Sequence, residues 1–470
     1  MAEQATVSGF RLSPQQERVW ELQQEAAEQV CYGTQCELLL EGELEAERLE
    51  RAIKEVVQQH EILRTKYRRL PEMKIPVQVI EAQGKVRFEQ GELQGKSEAE
   101  QQAEISRLYE AVRQGIGKNG AGLHVQVMKA GAGSSVVVLS TAAMNLDAIG
   151  MKNLVEKISR RYESETGADS PLQYADLSEW QHDLLESEDM EQGREFWRAQ
   201  EKTAGGIKLP RGEGAGEGLA YVKLRLGQVL SRRVAELAQE QQSSGERLLL
   251  ACWQTLLCRL SGQTEIVVGV ASAGRNYEGL GEALGLFGKY LPLRMQMTGG
   301  KEFLQLWQES SAAVAEMEKW QEYYRWNGNG EQELSAGIVV GYEYLELPAA
   351  VQRGGVSWRI RALYSCYERQ QLKLVCIREE EELVVELHYE RGVMSEAGAR
   401  RMLAQYEQVV RSVSADVRVE LARVEVLSEA ERKQLLEEWN DTEDVDYASA
   451  KCLHELFEEQ VARTPAAVAV

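Results

Sequence analysis

The stretch SVVVLSTAAMNLDAIGMKNLVEKI, residues 135–158, changes its hydrophobic pattern halfway along. Its first part is a valine-rich run, which is typical of a buried strand. From Asp147 to about Tyr162 the apolar residues recur every three or four positions, which predicts an amphipathic helix. The stretch therefore predicts a strand, a short turn over residues 142–147 and a helix.

The same alternation of strand and helix patterns continues on both sides of this stretch. Upstream, residues 124–128 read as a strand that a glycine-rich turn joins to the strand at 135–140. Further helical patterns cover about 43–59, 229–242, 246–260, 302–318 and 395–413, and further strand patterns about 219–226, 265–271, 336–344, 371–377 and 383–389. The sequence therefore predicts a mixed α/β protein.

Size and charge limit the classes of function. A chain of 470 residues exceeds the usual single hydrophobic core, so two lobes are expected. The net charge of −21 disfavours nucleic-acid and anionic-membrane partners. The sequence has no long apolar run and no secretory signal, and its seven cysteines lack CxxC spacing. We therefore expect a cytoplasmic protein with reduced thiols and no metal site.

Five short motifs stand out along the chain. They are LSPQQERVW (12–20), HEILRTKY (60–67), QYADLSEWQ (173–181), IVVGVASAGRN (266–276) and LGLFGKYLPLR (284–294). Their types and order resemble those of the condensation domains of nonribosomal peptide synthetases. A sixth landmark, EEWNDT followed by LHELFEEQVARTPAAVAV, is similar to the junction that leads from such a domain into an adenylation domain. Each motif alone is weakly specific, but their common order is a strong signal.

The resemblance implies a fold and a reaction. The fold would be that of chloramphenicol acetyltransferase, with two α/β lobes in a V and a tunnel between them. Donor and acceptor carrier domains would each present a thioester on a phosphopantetheine arm, and the acceptor amine would attack the donor carbonyl. No cofactor would be bound covalently to the chain itself.

The resemblance and a glycine-rich connector at 204–218 also suggest how the chain is divided. Residues 1–190 would form the N-terminal lobe and 191–426 the C-terminal lobe, followed by a linker at 427–452 and the start of an adenylation domain at 453–470. The first motif begins close to Met1, so we expect the donor carrier on another chain.

The third family motif, HHxxxDG, departs from its pattern here. The aligned residues run from Ala142 to Ala148, so both histidine positions, Ala142 and Ala143, are alanine, and Ala148 replaces the glycine. Alanine can neither transfer a proton nor orient an amine. Asn145 is a candidate for lining the tunnel, and packing is the simpler role for it.

The aspartate of the motif, Asp147, survives. The resemblance implies that it forms a structural ion pair, and Arg294 at the end of the fifth motif is the expected partner. The alternative is that Asp147 serves as a replacement base. Arg64, in the second motif, is expected to be a structural cation or one that positions the lobes.

The fifth motif departs as well, because Lys289 and Tyr290 replace an Asn-Thr pair. Lys289 is expected to be a solvated residue on a loop over the tunnel. Alternatively, it would stabilise an oxyanion or bind an acidic substrate group. Tyr290 and Cys366 are further candidates for the tunnel wall.

Another histidine could replace the missing pair only if the fold brought it to the centre. The five histidines are His60, His124, His182, His388 and His454. His124, on the strand before the motif, is the least excluded.

Several functions remain open at this point. The first is amide formation without a histidine, because positioning two tethered thioesters alone lowers the barrier by about 7–11 kcal/mol. The second is a catalytically silent platform that binds a carrier or recruits a tailoring enzyme. Heterocyclisation would need an aspartate at position 142, which is Ala142. An acyltransferase that uses free coenzyme A would not need the junction into an adenylation domain.

Overall fold

The computed structural model describes residues 9–25, 32–71, 73–115, 122–164, 171–187, 191–201, 207, 214, 216–298, 300–326, 339–441 and 451–468. The chain forms two compact units, Met1–Val426 and Leu427–Val470. Most of the expected connector at 204–218 lies outside the described residues, as does Cys31.

The first unit contains two six-stranded sheets. The first sheet has the order β11-β12-β1-β6-β5-β4. Its strands are β1 (Gly33–Glu41), β4 (Val86–Glu92), β5 (Leu123–Gly131), β6 (Ser134–Ala142), β11 (Val351–Arg353) and β12 (Val356–Ser365). The predicted strands at 124–128 and 135–140 are confirmed as β5 and β6, which pair in antiparallel orientation.

Two amphipathic helices cover one face of this sheet. They are α2 (Ala46–Gln59) and α4 (Ala148–Glu163), both predicted from their periodicity. Leu49, Ile53 and Val56 of α2 pack in the same buried cluster as Met151 and Leu154 of α4. This packing fixes the start of α4 directly after strand β6.

The second sheet has the order β7-β14-β13-β10-β8-β9. Its strands are β7 (Leu219–Arg225), β8 (Glu265–Ser272), β9 (Lys289–Gln296), β10 (Val340–Leu347), β13 (Leu372–Glu379) and β14 (Glu382–Glu390). Strand β10 runs parallel to β8 and β13, and the other pairings are antiparallel. The helices that cover it are α7 (Gly227–Glu240), α8 (Gly245–Ser261), α9 (Phe303–Lys319) and α10 (Glu396–Ala415).

One hairpin crosses from the second half of the chain to the first sheet. Strand β12 pairs with β1 along its length, with Thr34 opposite Ser365, and β11 extends the hairpin to the edge. This hairpin lies outside the range 1–190 that was expected to form the first lobe. The main-chain hydrogen bonds between β1 and β12 therefore hold part of the second half of the chain in the first sheet, and the lobe boundaries remain a prediction.

The remaining helices of the first unit are α1 (Pro14–Glu25), α3 (Glu98–Gly115), α5 (Tyr174–Glu186) and α6 (Glu191–Glu201), and β2 (Thr65–Arg68) with β3 (Val77–Ile80) forms a small sheet. The second unit contains α11 (Glu429–Leu436) and α12 (Leu453–Arg463). Among the described helices, none is long and apolar enough to cross a membrane.

Candidate functional site

The turn between β6 and α4 lies in the interior of the first unit. Ala142 is 5% exposed and Ala143 is fully buried. The Ala143 amide donates to the Tyr32 carbonyl oxygen at 3.2 Å. Ala143 packs in an apolar cluster with Leu12, Val19, Leu22, Tyr32, Tyr67, Met144, Leu286, Tyr290, Cys366 and Tyr367. The two family histidine positions are thus occupied by methyl groups in the interior.

The polar groups of Met144, Asn145, Tyr67 and Gln16 bind one another next to Ala143. The Tyr67 hydroxyl lies 2.9 Å from both the Met144 carbonyl oxygen and Asn145 Oδ1. Gln16 Nε2 donates to the same carbonyl at 2.9 Å, and Asn145 Nδ2 donates to Thr141 Oγ1 at 3.2 Å. Asn145 is fully buried, so its amide holds the turn in place.

Asp147 accepts five hydrogen bonds. It caps α4 by accepting from the Gly150 amide at 2.6 Å, and it accepts from the amides of Phe287 and Gly288 at 2.9 Å each. Arg275 donates to both carboxylate oxygens, at 2.7 and 3.0 Å. Three of the four donor residues, Arg275, Phe287 and Gly288, lie on the loop between β8 and β9. Asp147 therefore anchors that loop to the turn before α4, as a structural residue.

The predicted pairing of Asp147 with Arg294 is wrong. Arg294 donates to Glu265 at 2.7 Å and to the Gln200 carbonyl oxygen at 3.3 Å. It lies five residues along β9 from Lys289, about 17 Å at the usual strand rise. Instead, the loop before β9 places the side chain of Arg275 against Asp147. Arg275 belongs to the motif IVVGVASAGRN, so the sequence contained the correct residue without distinguishing it from Arg294.

Lys289 is also placed differently from the simpler expectation. It is 3% exposed at the start of β9 rather than solvated on a loop. Its ammonium donates to Glu322 Oε2 at 3.0 Å and to the Gln321 carbonyl oxygen at 3.1 Å. Glu322 neutralises the charge of Lys289, which leaves the lysine poorly suited to bind an acidic substrate group.

Tyr290 lies in the wall of the cluster around Ala143. Its hydroxyl donates to Glu343 Oε2 at 2.9 Å, and Lys373 donates to the same oxygen at 2.8 Å. Its ring packs against Tyr367 with 5.2 Å between the centroids. Burial, followed by the neighbouring Glu343 carboxylate, raises the pKa of Tyr290 well above its usual range. Tyr290 therefore stays protonated and cannot act as a base at neutral pH.

The other two candidates differ in their distance from this centre. Cys366 is buried in the same cluster as Ala143, and its amide donates to the Gly33 carbonyl oxygen at 3.0 Å. Arg64 donates to the Glu81 carbonyl oxygen and to Glu61 next to the small β2–β3 sheet. Cys366 is thus part of the centre, whereas Arg64 stabilises a neighbouring turn.

The histidines are held elsewhere. Burial lowers the pKa of His60 to about 4, and His124 is half-buried on β5 beside Arg87 and Glu89. The ring of His182 contacts the Leu12 carbonyl oxygen at 2.6 Å, and that of His388 contacts Glu386 at 2.9 Å. His454 lies in the second unit. This geometry gives no support to a replacement of the missing pair by His124.

A polar cleft of about 860 Å³ lies between α4 and the helices of the second sheet. Its lining includes Lys152 of α4, Arg232 of α7, Glu246 of α8, and Glu346 and Arg378 of the second sheet. Burial lowers the pKa of Lys152, which donates to the Glu346 carbonyl oxygen at 3.2 Å. The cleft carries charges of both signs, in contrast to the apolar surroundings of Ala143.

The family model for the condensation domain matches residues 8–327, more than half of the chain. The chain belongs to the condensation-domain family. Among its curated relatives, gramicidin S synthase 2 of Brevibacillus brevis is 25% identical over 98% of this chain and 10% of the relative. Tyrocidine synthase 3 of Brevibacillus parabrevis is 25% identical over 98% of this chain and 7% of the relative. This condensation domain therefore spans about a tenth or less of the length of these relatives.

Solved structures show the same fold. The starter condensation domain of rhizomide synthetase has a TM-score of 0.78 at 15% identity and covers 89% of this chain and 98% of its own. The first condensation domain of the calcium-dependent antibiotic synthetase has a TM-score of 0.76 at 18% identity, with 90% and 99% covered. The X-domain from teicoplanin biosynthesis has a TM-score of 0.73 at 19% identity, with 89% and 98% covered. The predicted fold class is thereby confirmed.

Within this condensation domain, sequence reasoning found the turn, its alanines and Asp147. It missed Arg275, Gln16 and the Gln321–Glu322 pair. Gln16 lies in LSPQQERVW and Arg275 in IVVGVASAGRN, but the sequence does not show whether a glutamine or an arginine is a buried partner or a surface residue. Among the described residues, no group of three or more histidine, cysteine, aspartate or glutamate side chains is placed to hold a metal ion.

Proposed function

We propose that this condensation domain serves a nonribosomal peptide synthetase as a platform that binds a carrier-borne thioester without acid–base catalysis. The observation that carries the proposal is the state of Asp147. Its two oxygens accept five hydrogen bonds, three from main-chain amides and two from Arg275. A carboxylate has about four lone-pair positions, so five donors leave neither oxygen a free position for a proton of the substrate amine.

The groups around Asp147 do not supply a base either. Ala142 and Ala143 carry no titratable atom. Burial is the main cause of a raised pKa for Tyr67, and the pKa of Tyr290 is raised in the same way, so both phenols remain neutral near pH 7. General-base catalysis typically contributes about 10²–10⁴-fold, and Ala142, Ala143, Tyr67 and Tyr290 do not provide it.

The proposed ligands and partners follow from the family. Donor or acceptor carrier domains would bring a thioester on a phosphopantetheine arm into a tunnel between the lobes, and an adenylation domain would follow in the same polypeptide. A tailoring enzyme is a further proposed partner. In its favour, the X-domain of teicoplanin biosynthesis, which has this fold at a TM-score of 0.69, has been solved in complex with OxyB.

A second candidate function is amide formation by positioning alone. The anchor that joins the turn before α4 to the loop before β9 is intact, which favours a correctly shaped centre. An α-amine has a pKa of about 8, so part of it is already neutral at pH 7. Positioning alone would then support a slow aminolysis.

The deciding experiment mixes the chain with loaded donor and acceptor carriers and follows amide product by mass spectrometry. The platform role predicts saturable binding of a loaded carrier and product no faster than the background without the chain. Product clearly above that background would overturn the platform and favour the second candidate. Ala143→His, with Ala142→His as the matched control, tests whether restoring one imidazole restores turnover.

A further inference from the structure

A cleft of about 760 Å³ opens where strands β4 and β5 begin, beside helix α2. Among the described residues that line it, Lys54, Lys85 and Arg87 carry a positive charge and none is acidic. The chain as a whole has a net charge of −21, so these cations depart from the charge of the rest of the molecule. A cleft with this lining attracts an acidic ligand.

Two of the three cations are held only weakly by other side chains. Lys54 contacts Glu50 at 2.6 Å on the same helix, and Arg87 contacts Glu89 at 2.7 Å on β4. The four side chains are between 33% and 67% exposed. Exposed ion pairs of this kind contribute little to stability, so the carboxylate of a ligand can replace Glu50 or Glu89 at small cost.

His124 adds a neutral polar group to the same cleft. It lies opposite Arg87 in the parallel pairing of β4 with β5. Burial, followed by the charge of Arg87, lowers the pKa of His124, so the imidazole is uncharged at neutral pH. A neutral imidazole donates one hydrogen bond and accepts another, which suits a polar ligand.

The cleft lies at the start of an edge strand. β4 is the last strand in the order β11-β12-β1-β6-β5-β4, and within this sheet it pairs with β5 alone. An edge strand presents main-chain N–H and C=O groups, to which a strand of another chain can add. Val86 belongs both to β4 and to the lining of the cleft, so the basic cleft and the strand edge are continuous.

The side chains along β4 favour one kind of added strand. Val86 and Phe88 are partly buried and pack against the apolar cluster that contains α2. Lys85 and Arg87 alternate with them and are exposed. Directly opposite side chains of paired strands contact each other, and opposite charges stabilise such a pair. A strand in which apolar and acidic residues alternate matches this pattern.

We propose that the basic cleft and the edge of β4 form a docking surface for an extended protein segment with alternating apolar and acidic residues. This segment adds to the six-stranded first sheet as a seventh strand. The strand edge supplies main-chain hydrogen bonds, and Lys54, Lys85 and Arg87 select acidic side chains. The docking surface requires neither a thioester nor a carrier, so it does not depend on the proposed function.

The test measures binding of a fluorescent peptide to the full chain by fluorescence anisotropy. The peptide is Thr-Val-Thr-Val-Glu-Val-Glu, labelled at its N-terminus and amidated at its C-terminus. In the antiparallel orientation, the commoner one in sheets, its glutamates face Lys85 and Arg87 while a threonine faces Glu89. We expect saturable binding, and about 3- to 30-fold weaker binding when both glutamates are replaced by glutamine. Raising the salt concentration should weaken binding of the glutamate peptide alone.

Two N-methylated forms of the glutamate peptide test whether it adds as a strand. Alternate residues of an added strand direct their N–H groups toward the neighbouring strand. Methyl groups on the three valines and methyl groups on the other residues therefore block opposite edges of the same peptide. One form should bind at least about tenfold more weakly than the other, because it loses the hydrogen bonds to β4.

Charge-removing variants locate the contact on the protein. Lys85→Gln combined with Arg87→Gln should lower the affinity for the glutamate peptide about 3- to 30-fold and abolish its preference over the glutamine peptide. Arg400→Gln combined with Arg411→Gln is the matched control. It removes two exposed arginines of α10 that pair with glutamates, changes the net charge equally, and should leave the affinity unchanged.

No saturable binding of the glutamate peptide, or equal affinities for the glutamate and glutamine peptides, would overturn the docking surface. Equal affinities of the two methylated forms would show that charge alone holds the peptide, which contradicts strand addition. An equal loss in the α10 control would mean that net charge rather than the cleft decides. Tighter binding of a single-stranded oligonucleotide that depends on Lys85 and Arg87 would assign the cleft to phosphate instead. Carrier binding is measured separately, so the platform role can survive any of these results.

Discussion

Asp147 and Arg275 join the two sheets at the centre of this condensation domain. The guanidinium spans both carboxylate oxygens at 2.7 and 3.0 Å, and the two side chains are 4% and 5% exposed. Arg275 also lies over the Phe287 ring, 4.4 Å from its centroid. The pair thus fixes the loop before β9 against the turn that carries Ala142 and Ala143.

Removing one member of this pair should destabilise the chain strongly. Arg275→Ala leaves a buried carboxylate with fewer donors, which costs about 3–5 kcal/mol in the free energy of unfolding. Arg294→Ala is the matched control, since its partly exposed pair with Glu265 contributes about 1 kcal/mol or less. Urea unfolding of each variant measures its loss in the free energy of unfolding. A larger loss for Arg294→Ala would contradict the assignment of the partner.

The Lys289–Glu322 pair should behave as a buried ion pair. Lys289→Met alone leaves Glu322 charged in the interior and costs about 3–5 kcal/mol. Combining it with Glu322→Leu removes the unpaired charge, so the double variant should be more stable than Lys289→Met. A double-mutant cycle by urea unfolding tests this. Additive losses would mean that the two side chains do not interact.

Gly274 should not tolerate a side chain. Its φ is +64°, and an added Cβ would lie 2.1 Å from the Phe287 carbonyl oxygen. Gly274→Ala should therefore cost at least about 1–3 kcal/mol in the free energy of unfolding, because backbone strain and a main-chain clash act together. Gly281→Ala on the same loop, where a Cβ meets nothing within 4 Å, is the control. Similar losses for both variants would refute this account.

His60 should make stability depend on pH. Burial lowers its pKa in the folded chain from 6.5 to about 4, so the unfolded chain binds the proton first as the pH falls. The contribution of His60 to the free energy of unfolding is complete above pH 6.5. It falls by about 3 kcal/mol as the pH is lowered to 4, at 1.36 kcal/mol per pKa unit.

His60→Gln should flatten that part of the profile relative to the parent, as measured by urea unfolding between pH 4 and 7. His454→Gln, at an exposed position in the second unit, is the control and should leave the profile unchanged. Parent and His60→Gln profiles of equal slope would show that the neutral state of His60 contributes nothing.

Local pattern determined much of the secondary structure. Periodicity predicted α2, α4, α7 to α10, most strands of the second sheet, and β5 and β6 of the first, because a helix or strand shows its buried face in neighbouring residues. The motif order predicted the family and located the turn with Ala142, Ala143 and Asp147. Each of these inferences depends on residues close together in the sequence.

The sequence by itself determined that both histidine positions of the motif are alanine and that its aspartate is kept. Only the tertiary structure decided what that aspartate does, because Asp147 and Arg275 are 128 residues apart and nothing local distinguishes Arg275 from Arg294. The same holds for Lys289, whose burial and pairing with Glu322 depend on how α9 ends beside the second sheet. Ion pairs between distant residues follow from the packing of the sheets, which no short stretch of sequence contains.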